Sequence, residues 1–122
     1  MRKRADEKEM SLFNKKELME SLKPLNYTNP IAAKILQRRL QILVHSYIYY
    51  ELDDNIVSDA KWSEWAMELV QLQKDNPLIA SKLPYAKDFI EFDGSTGFNL
   101  PYKNKEIIEK ANRLLRWRDE NY

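Results

Sequence analysis

Side chains able to hold a flat polar ligand crowd into one short stretch, His45-Ser46-Tyr47-Ile48-Tyr49-Tyr50-Glu51-Leu52-Asp53-Asp54-Asn55-Ile56-Val57-Ser58-Asp59-Ala60-Lys61-Trp62. The chemistry they offer is recognition. Tyr49, Tyr50 and Trp62 present aromatic faces, and Asp59 can accept hydrogen bonds from an amide or a hydroxyl. His45 is the single histidine of the chain, and there are 0 Cys. One histidine without a cysteine makes neither a metal site nor a catalytic triad. The same residues also fit a plain structural role, because aromatics at a helix corner pack and an aspartate at a helix start caps.

A turn between two helices brings these side chains together. Asn29-Pro30 reads as a cap followed by proline at the first helical position. Ile31, Ile35, Leu36, Leu40, Leu43, Val44, Tyr47 and Ile48 then recur at helical spacing to about Leu52. Lys34 and Arg38 mark a solvated edge of that helix. Asp53-Asp54-Asn55 is turn chemistry, and Ser58 or Asp59 caps the next helix. Its apolar side carries Trp62, Trp65, Ala66, Leu69, Val70 and Leu72, and Asn76-Pro77 stops it. At about 1.5 Å per residue, Tyr49 falls about one turn before the end of the first helix and Trp62 about one turn inside the second. Both are expected at the mouth of a long antiparallel helical hairpin, where two rings can sandwich a third.

Residues 1–11 are charged and aperiodic and are expected to form a flexible N-terminal segment. Residues 12–122 are expected to fold as a single helical domain. Asn14-Lys15-Lys16-Glu17 has the spacing of a capping box, with Phe13 and Leu18 as its staple, and predicts a short helix to about Leu22 before Pro24. A further short turn is predicted from Pro77 to Leu83. Phe89 to Tyr102 reads as an ordered loop or a short hairpin, in which Asp93, Ser95 and Thr96 can hold an anion or turn the chain. A last helix from about Asn104 carries Ile107, Ile108, Ala111, Leu114, Leu115 and Trp117. The predicted fold class is mainly all-α, with four to five helices.

Composition narrows the function classes. The chain of 122 residues is 43% hydrophobic, enough for a core without disulfides. Its 20 Lys+Arg and 19 Asp+Glu leave a net charge of +1, so no global attraction to nucleic acid or membrane is expected. Only 2 Gly occur, Gly94 and Gly97, which argues against a glycine-rich phosphate cradle. No apolar run approaches membrane-spanning length, and Ala5-Asp6-Glu7-Lys8-Glu9 stands where a signal peptide needs apolar residues. The expected location is cytoplasmic.

The hairpin segment resembles the small N-terminal helical subdomain of bacterial NAD-dependent DNA ligases, whose pattern is His-x-x-x-Tyr-[Tyr/His], then Asp, a short turn and Ser/Pro-Asp-Ala-x-Tyr-Asp. His45, Tyr49, Tyr50, Asp53, Ser58, Asp59 and Ala60 match it. Glu68-Leu69-Val70-Gln71-Leu72-Gln73-Lys74-Asp75-Asn76-Pro77 resembles the segment that closes the subdomain, so the likeness covers about residues 32–78. The resemblance implies a grip on the nicotinamide mononucleotide (NMN) half of NAD, with Tyr49, Tyr50 and Asp59 as contacts. Trp62 replaces the later tyrosine, keeping a stacking face without the hydroxyl, and Ser63 replaces an aspartate and removes a carboxylate contact. The adenylation motif Lys-x-Asp-Gly has its nearest match in Glu91-Phe92-Asp93-Gly94, where a carboxylate stands in the place of the nucleophilic amine. Phe92 to Tyr102 with the helix after it resembles short ligase-related proteins of Gram-positive bacteria and their phages.

Three functions follow as expectations. The first is a non-catalytic, ligase-related interaction module, phage- or prophage-encoded, that binds a protein partner in DNA metabolism. It predicts an exposed apolar patch away from the hairpin mouth. The second is a binder of NMN, NAD or a related nucleotide, with no other cofactor, which predicts an open aromatic slot at the mouth. The third is a weak nucleic-acid binder using Lys103, Lys105, Lys110, Arg113, Arg116 and Arg118, charges interrupted by Glu106, Glu109, Asp119 and Glu120. The chain is expected not to be an enzyme.

Overall fold

Asn29 is extended (φ −67°, ψ 126°), and its side-chain oxygen accepts the Ile31 amide at 2.8 Å. With Pro30 supplying a preset φ just inside the start, helix α1 runs from Pro30 to Leu52 (Pro30–Leu52). A computed structural model describes residues 29–121. The segment 1–11, the Asn14-Lys15-Lys16-Glu17 capping box and its short helix lie outside the described residues. Asp53 ends α1 in the left-handed region (φ 49°), and the Asp54 amide reaches back to the Ile48 carbonyl at 3.2 Å. That local bond satisfies one carbonyl at the helix end and turns the chain.

Ser58 starts helix α2 (Asp59–Asp75) by accepting the Lys61 amide at 3.1 Å. Pro77 lacks an amide hydrogen and opens the short helix α3 (Pro77–Lys82). One turn of helix, α4 (Ala86–Phe89), follows. The sequence reading did not include it. Asn104 accepts the Ile107 amide at 3.0 Å and begins α5 (Lys105–Asn121). The described residues are all-helical, with five helices, and contain no strand. Ile90 to Asn104 is therefore a loop, and its short-hairpin alternative is excluded.

Helices α2 and α5 both pack on α1. Arg39 of α1 bonds Gln73 of α2 at 2.9 Å and His45 packs on Trp65 at 5.5 Å, so residues late in α1 lie beside residues early in α2. Ile35, Leu36, Ile42, Leu43 and Ile48 join Leu69, Phe89, Ile107 and Leu114 in the core, each side chain worth about 1.5–3 kcal/mol of burial.

The expected solvated edge at Lys34 and Arg38 is wrong for Arg38, which is 9% exposed. Helix α2 covers it: its Nε donates to Glu68 at 3.0 Å and its Nη1 to Gln41 at 2.6 Å, and its guanidinium lies 5.7 Å from the Trp65 ring centre. Lys34 reaches the same carboxylate at 3.8 Å. Arg39 is deeper still. It donates to Gln73, to the Leu83 and Pro84 carbonyls, and to Ala80 at 3.0 Å, which ties α1 to the end of α3. Burial lowers its pKa to about 10 against the opposing charge of Asp88, so it stays cationic at neutral pH. Arg118 of α5 donates to the buried Asp54 carboxylate at 3.0 Å and pins the α1–α2 turn from behind.

Candidate functional site

The turn that joins α1 to α2 borders a cavity of about 220 Å³. His45, Ser46, Tyr49 and Tyr50 reach it from the end of α1, and Asn55, Ile56 and Val57 from the turn. Asp59, Trp62 and Ser63 reach it from the start of α2. Ser95 and Thr96 of the loop before α5 complete the wall. Seven of the residues singled out from sequence thus share one cavity: His45, Tyr49, Tyr50, Asp59, Trp62, Ser95 and Thr96. Asp93 does not line it. Its carboxylate accepts the Ser95 amide at 2.9 Å and the Ser95 hydroxyl at 2.6 Å, and those two bonds hold it below the usual carboxylate range. Its role is to set the loop that delivers Ser95 and Thr96.

Each wall is braced. Tyr49 is 53% exposed and packs edge-on against Tyr50, with ring centres 5.0 Å apart. Tyr50 stacks on buried Tyr102 at 5.9 Å and shares a hydrogen bond of 2.8 Å between its hydroxyl and that of Thr96. Trp62 packs edge-on against Phe92 at 6.5 Å. Gly97 presses against Ser46 so closely that an added Cβ would collide with the Ser46 hydroxyl and crowd the Trp62 ring. Only glycine fits there. Gly94 supplies the positive φ (86°) that turns the same loop.

Since Ser58 provides the α2 cap, the exposed Asp59 side chain is not spent on it. His45 packs on Trp65, and both its ring nitrogens are buried without a hydrogen-bond partner. Burial pushes its pKa down to about 4, so the imidazole is neutral at physiological pH. The Ser46 hydroxyl is likewise buried and unpartnered. Leaving such groups unsatisfied costs about 1–3 kcal/mol each. Sequence reasoning passed over Ser46 and Gly97. The usable signal for Ser46 was a small polar residue inside an apolar helical run, beside the one histidine.

Elsewhere, the basic set expected to meet nucleic acid is partly spent: Arg118 of α5 is buried on Asp54, and Lys103, just before α5, pairs with Glu51 at 3.1 Å. Among the described residues no His, Cys, Asp and Glu cluster is arranged to hold a metal, and no helix is long and apolar enough to cross a membrane.

Fold and cavity together define an all-helical domain with a small, aromatic-walled recess at a helix–turn–helix corner. No protein-family model, curated protein or solved structure matches the chain.

Proposed function

We propose that this is a non-catalytic domain that binds a flat polar ligand of the NMN class at the α1–α2 turn. The convergence of Tyr49, Tyr50, Asp59 and Trp62 on one cavity, above the unpartnered His45 and Ser46, carries the reading. Aromatic faces supply stacking, and Asp59, Ser95 and Thr96 supply acceptors and hydroxyls for an amide or a sugar. A volume of about 220 Å³ lies below the roughly 300–1,000 Å³ of drug-sized sites. A ring with its sugar suits that space and a whole dinucleotide does not, so the mononucleotide half of NAD is the part recognised. The nearest match to the adenylation motif, Glu91-Phe92-Asp93-Gly94, offers no nucleophilic amine, which fits the non-catalytic reading.

The test is calorimetric titration of the protein with NMN and NAD, with a Tyr49→Ala, Trp62→Ala double variant as control. Saturable heat that disappears in the variant is expected. No heat at millimolar ligand would overturn the reading.

A separate observation favours a second reading, docking of a protein partner. Leu78 and Ile90 are 76% and 83% exposed. Ile90 borders a groove of about 550 Å³ walled by Val70, Pro77, Ala80 and Phe89, which shares no lining residue with the aromatic cavity. Leu78→Glu with Ile90→Glu is expected to weaken such a partner and to leave the NMN titration unchanged.

A further inference from the structure

The groove beside Ile90 carries positive charge as well as apolar surface. Its wall residue Phe89 is fully buried and packs edge-on against Phe92 at 5.2 Å. Three cations line the same groove: Arg39 from α1, Lys74 from the last turn of α2 and Lys87 from α4. Arg39 is 1% exposed, and its guanidinium lies 5.7 Å from the Phe89 ring centre. The acceptors it meets, Gln73 and the Ala80, Leu83 and Pro84 carbonyls, are uncharged, so they satisfy its donors without cancelling its charge. Lys74 and Lys87 are exposed. The acids that neighbour this set in sequence, Asp75, Asp88 and Glu91, are exposed too, and they do not line the groove. Asp75 takes the Gln71 amide at 2.9 Å, and Asp88 acts on Arg39 through charge alone. Two exposed apolar side chains stand beside the opening, Leu78 on the same short helix as Pro77 and Ala80, and Ile90 directly after Phe89. With no strand among the described residues there is no sheet edge for a partner's backbone to pair with. Side chains must carry recognition here, as when an amphipathic helix lies in a groove.

We propose that this groove docks an amphipathic helical segment of a partner protein, with large apolar residues along one face and aspartate or glutamate on its flanks. The proposal rests on the reading of the groove as a protein-docking surface and adds to it the chemistry of the partner. The apolar face of the segment enters against Val70, Ala80 and Phe89, with Leu78 and Ile90 closing on its sides. Its carboxylates meet Lys74 and Lys87 at the rim. Arg39 adds attraction from below, and salt screens a buried charge less than an exposed one. A basic segment with the same apolar pattern meets three like charges instead.

The test is fluorescence anisotropy of dye-labelled synthetic helical peptides titrated with the full chain. The first peptide carries leucines at i, i+3 and i+7 with glutamates on both flanks. In the second, lysines replace the glutamates, and in the third, serines replace the leucines. The glutamate peptide is expected to bind, the lysine peptide to bind about fivefold more weakly, and the serine peptide not to bind. Fivefold is about what two rim ion pairs supply. Added salt should narrow the gap. Lys74→Glu with Lys87→Glu is expected to reverse the order of the two leucine peptides, and Leu78→Glu with Ile90→Glu to weaken both. If the two leucine peptides bind equally and the lysine reversal changes neither, the charge chemistry is overturned while the docking surface stands. If neither binds at millimolar concentration, the proposal and the docking reading both fall. Sedimentation of the chain alone is expected to show a monomer. A dimer that Leu78→Glu with Ile90→Glu dissociates would assign the groove to a second copy and overturn the proposal.

Discussion

Acid is expected to loosen this fold through one residue. His45 is the single histidine and is 4% exposed. Desolvation by burial pushes its pKa from the ordinary 6.5 down to about 4. Below pH 6.5 the unfolded chain takes up a proton that the folded chain refuses. The stability tied to the neutral imidazole is therefore complete above the unfolded pKa and is lost as the pH falls from about 6.5 towards about 4. Each pH unit in that window removes about 1.4 kcal/mol, so the drop from pH 7 to pH 5 costs about 2 kcal/mol. Urea unfolding at pH 7, 6 and 5 measures it, with His45→Phe as the comparison, because phenylalanine fills the place against Trp65 and does not titrate. Both proteins lose whatever their carboxylates contribute, and the wild-type chain should lose about 2 kcal/mol more than the variant across the series. Parallel pH dependences in the two proteins would refute the reasoning. They would mean that the charged imidazole finds solvent or a partner, and that the floor of the cavity is less dry than its burial states.

Two further perturbations probe the same corner. Ser46→Ala removes a buried hydroxyl that lacks a partner and adds a better helix former; it should raise stability by about 1 kcal/mol, read as a higher urea midpoint with an unchanged slope. A clear destabilisation would show that the hydroxyl is bonded after all. Arg118→Met takes the guanidinium from the buried Asp54 carboxylate that it meets at 3.0 Å, and should cost about 3 kcal/mol in thermal or urea unfolding. Adding Asp54→Asn to that variant should recover at least about 1 kcal/mol, since the burial penalty belongs to the remaining charge. A double variant no more stable than the single one would contradict that assignment.

Much of this fold is written in local chemistry. The Asn29-Pro30 start, the Ser58 cap, the Asn76-Pro77 break and the Asn104 start are each set by one or two side chains bonding to backbone close by, so they are visible in sequence. The aromatic cluster was legible for a related reason: Tyr49 and Trp62 both lie near the connecting turn, and a turn that short leaves them little room to part. Arg38 and Arg39 were not legible as buried groups. Two adjacent arginines on a helix read as solvated unless all of its faces are covered, and coverage depends on helices α2, α3 and α4 arriving from far along the chain. The clue was the apolar pattern itself, because Ile35, Leu36, Leu40, Ile42, Leu43 and Val44 occupy too much of the circumference for a surface helix. Gly97 against Ser46 was hidden in the same way, being a contact between residues with no local relation.

The wall supplied by Ser95, Thr96 and Gly97 also bears on how the resemblance should be used. The likeness to the ligase subdomain covers about residues 32–78, yet the cavity is finished by a loop that lies beyond it. Tyr50 is bonded to Thr96 and stacked on Tyr102, so one of the residues carried over by the likeness is held in place by residues outside it. On the proposed reading, the helical corner would set where a ligand sits, while the loop would help set what shape it has. The replacement of the aspartate by Ser63 removes an acid from the cavity edge, and the loop returns hydroxyls in place of charge. With the Ser95 hydroxyl already donating to Asp93 and the Thr96 hydroxyl bonded to Tyr50, what they offer a sugar edge is chiefly acceptor capacity. Among the described residues Asp59 is thereby left as the sole acid of the wall, beside the aromatic faces of Tyr49, Tyr50 and Trp62.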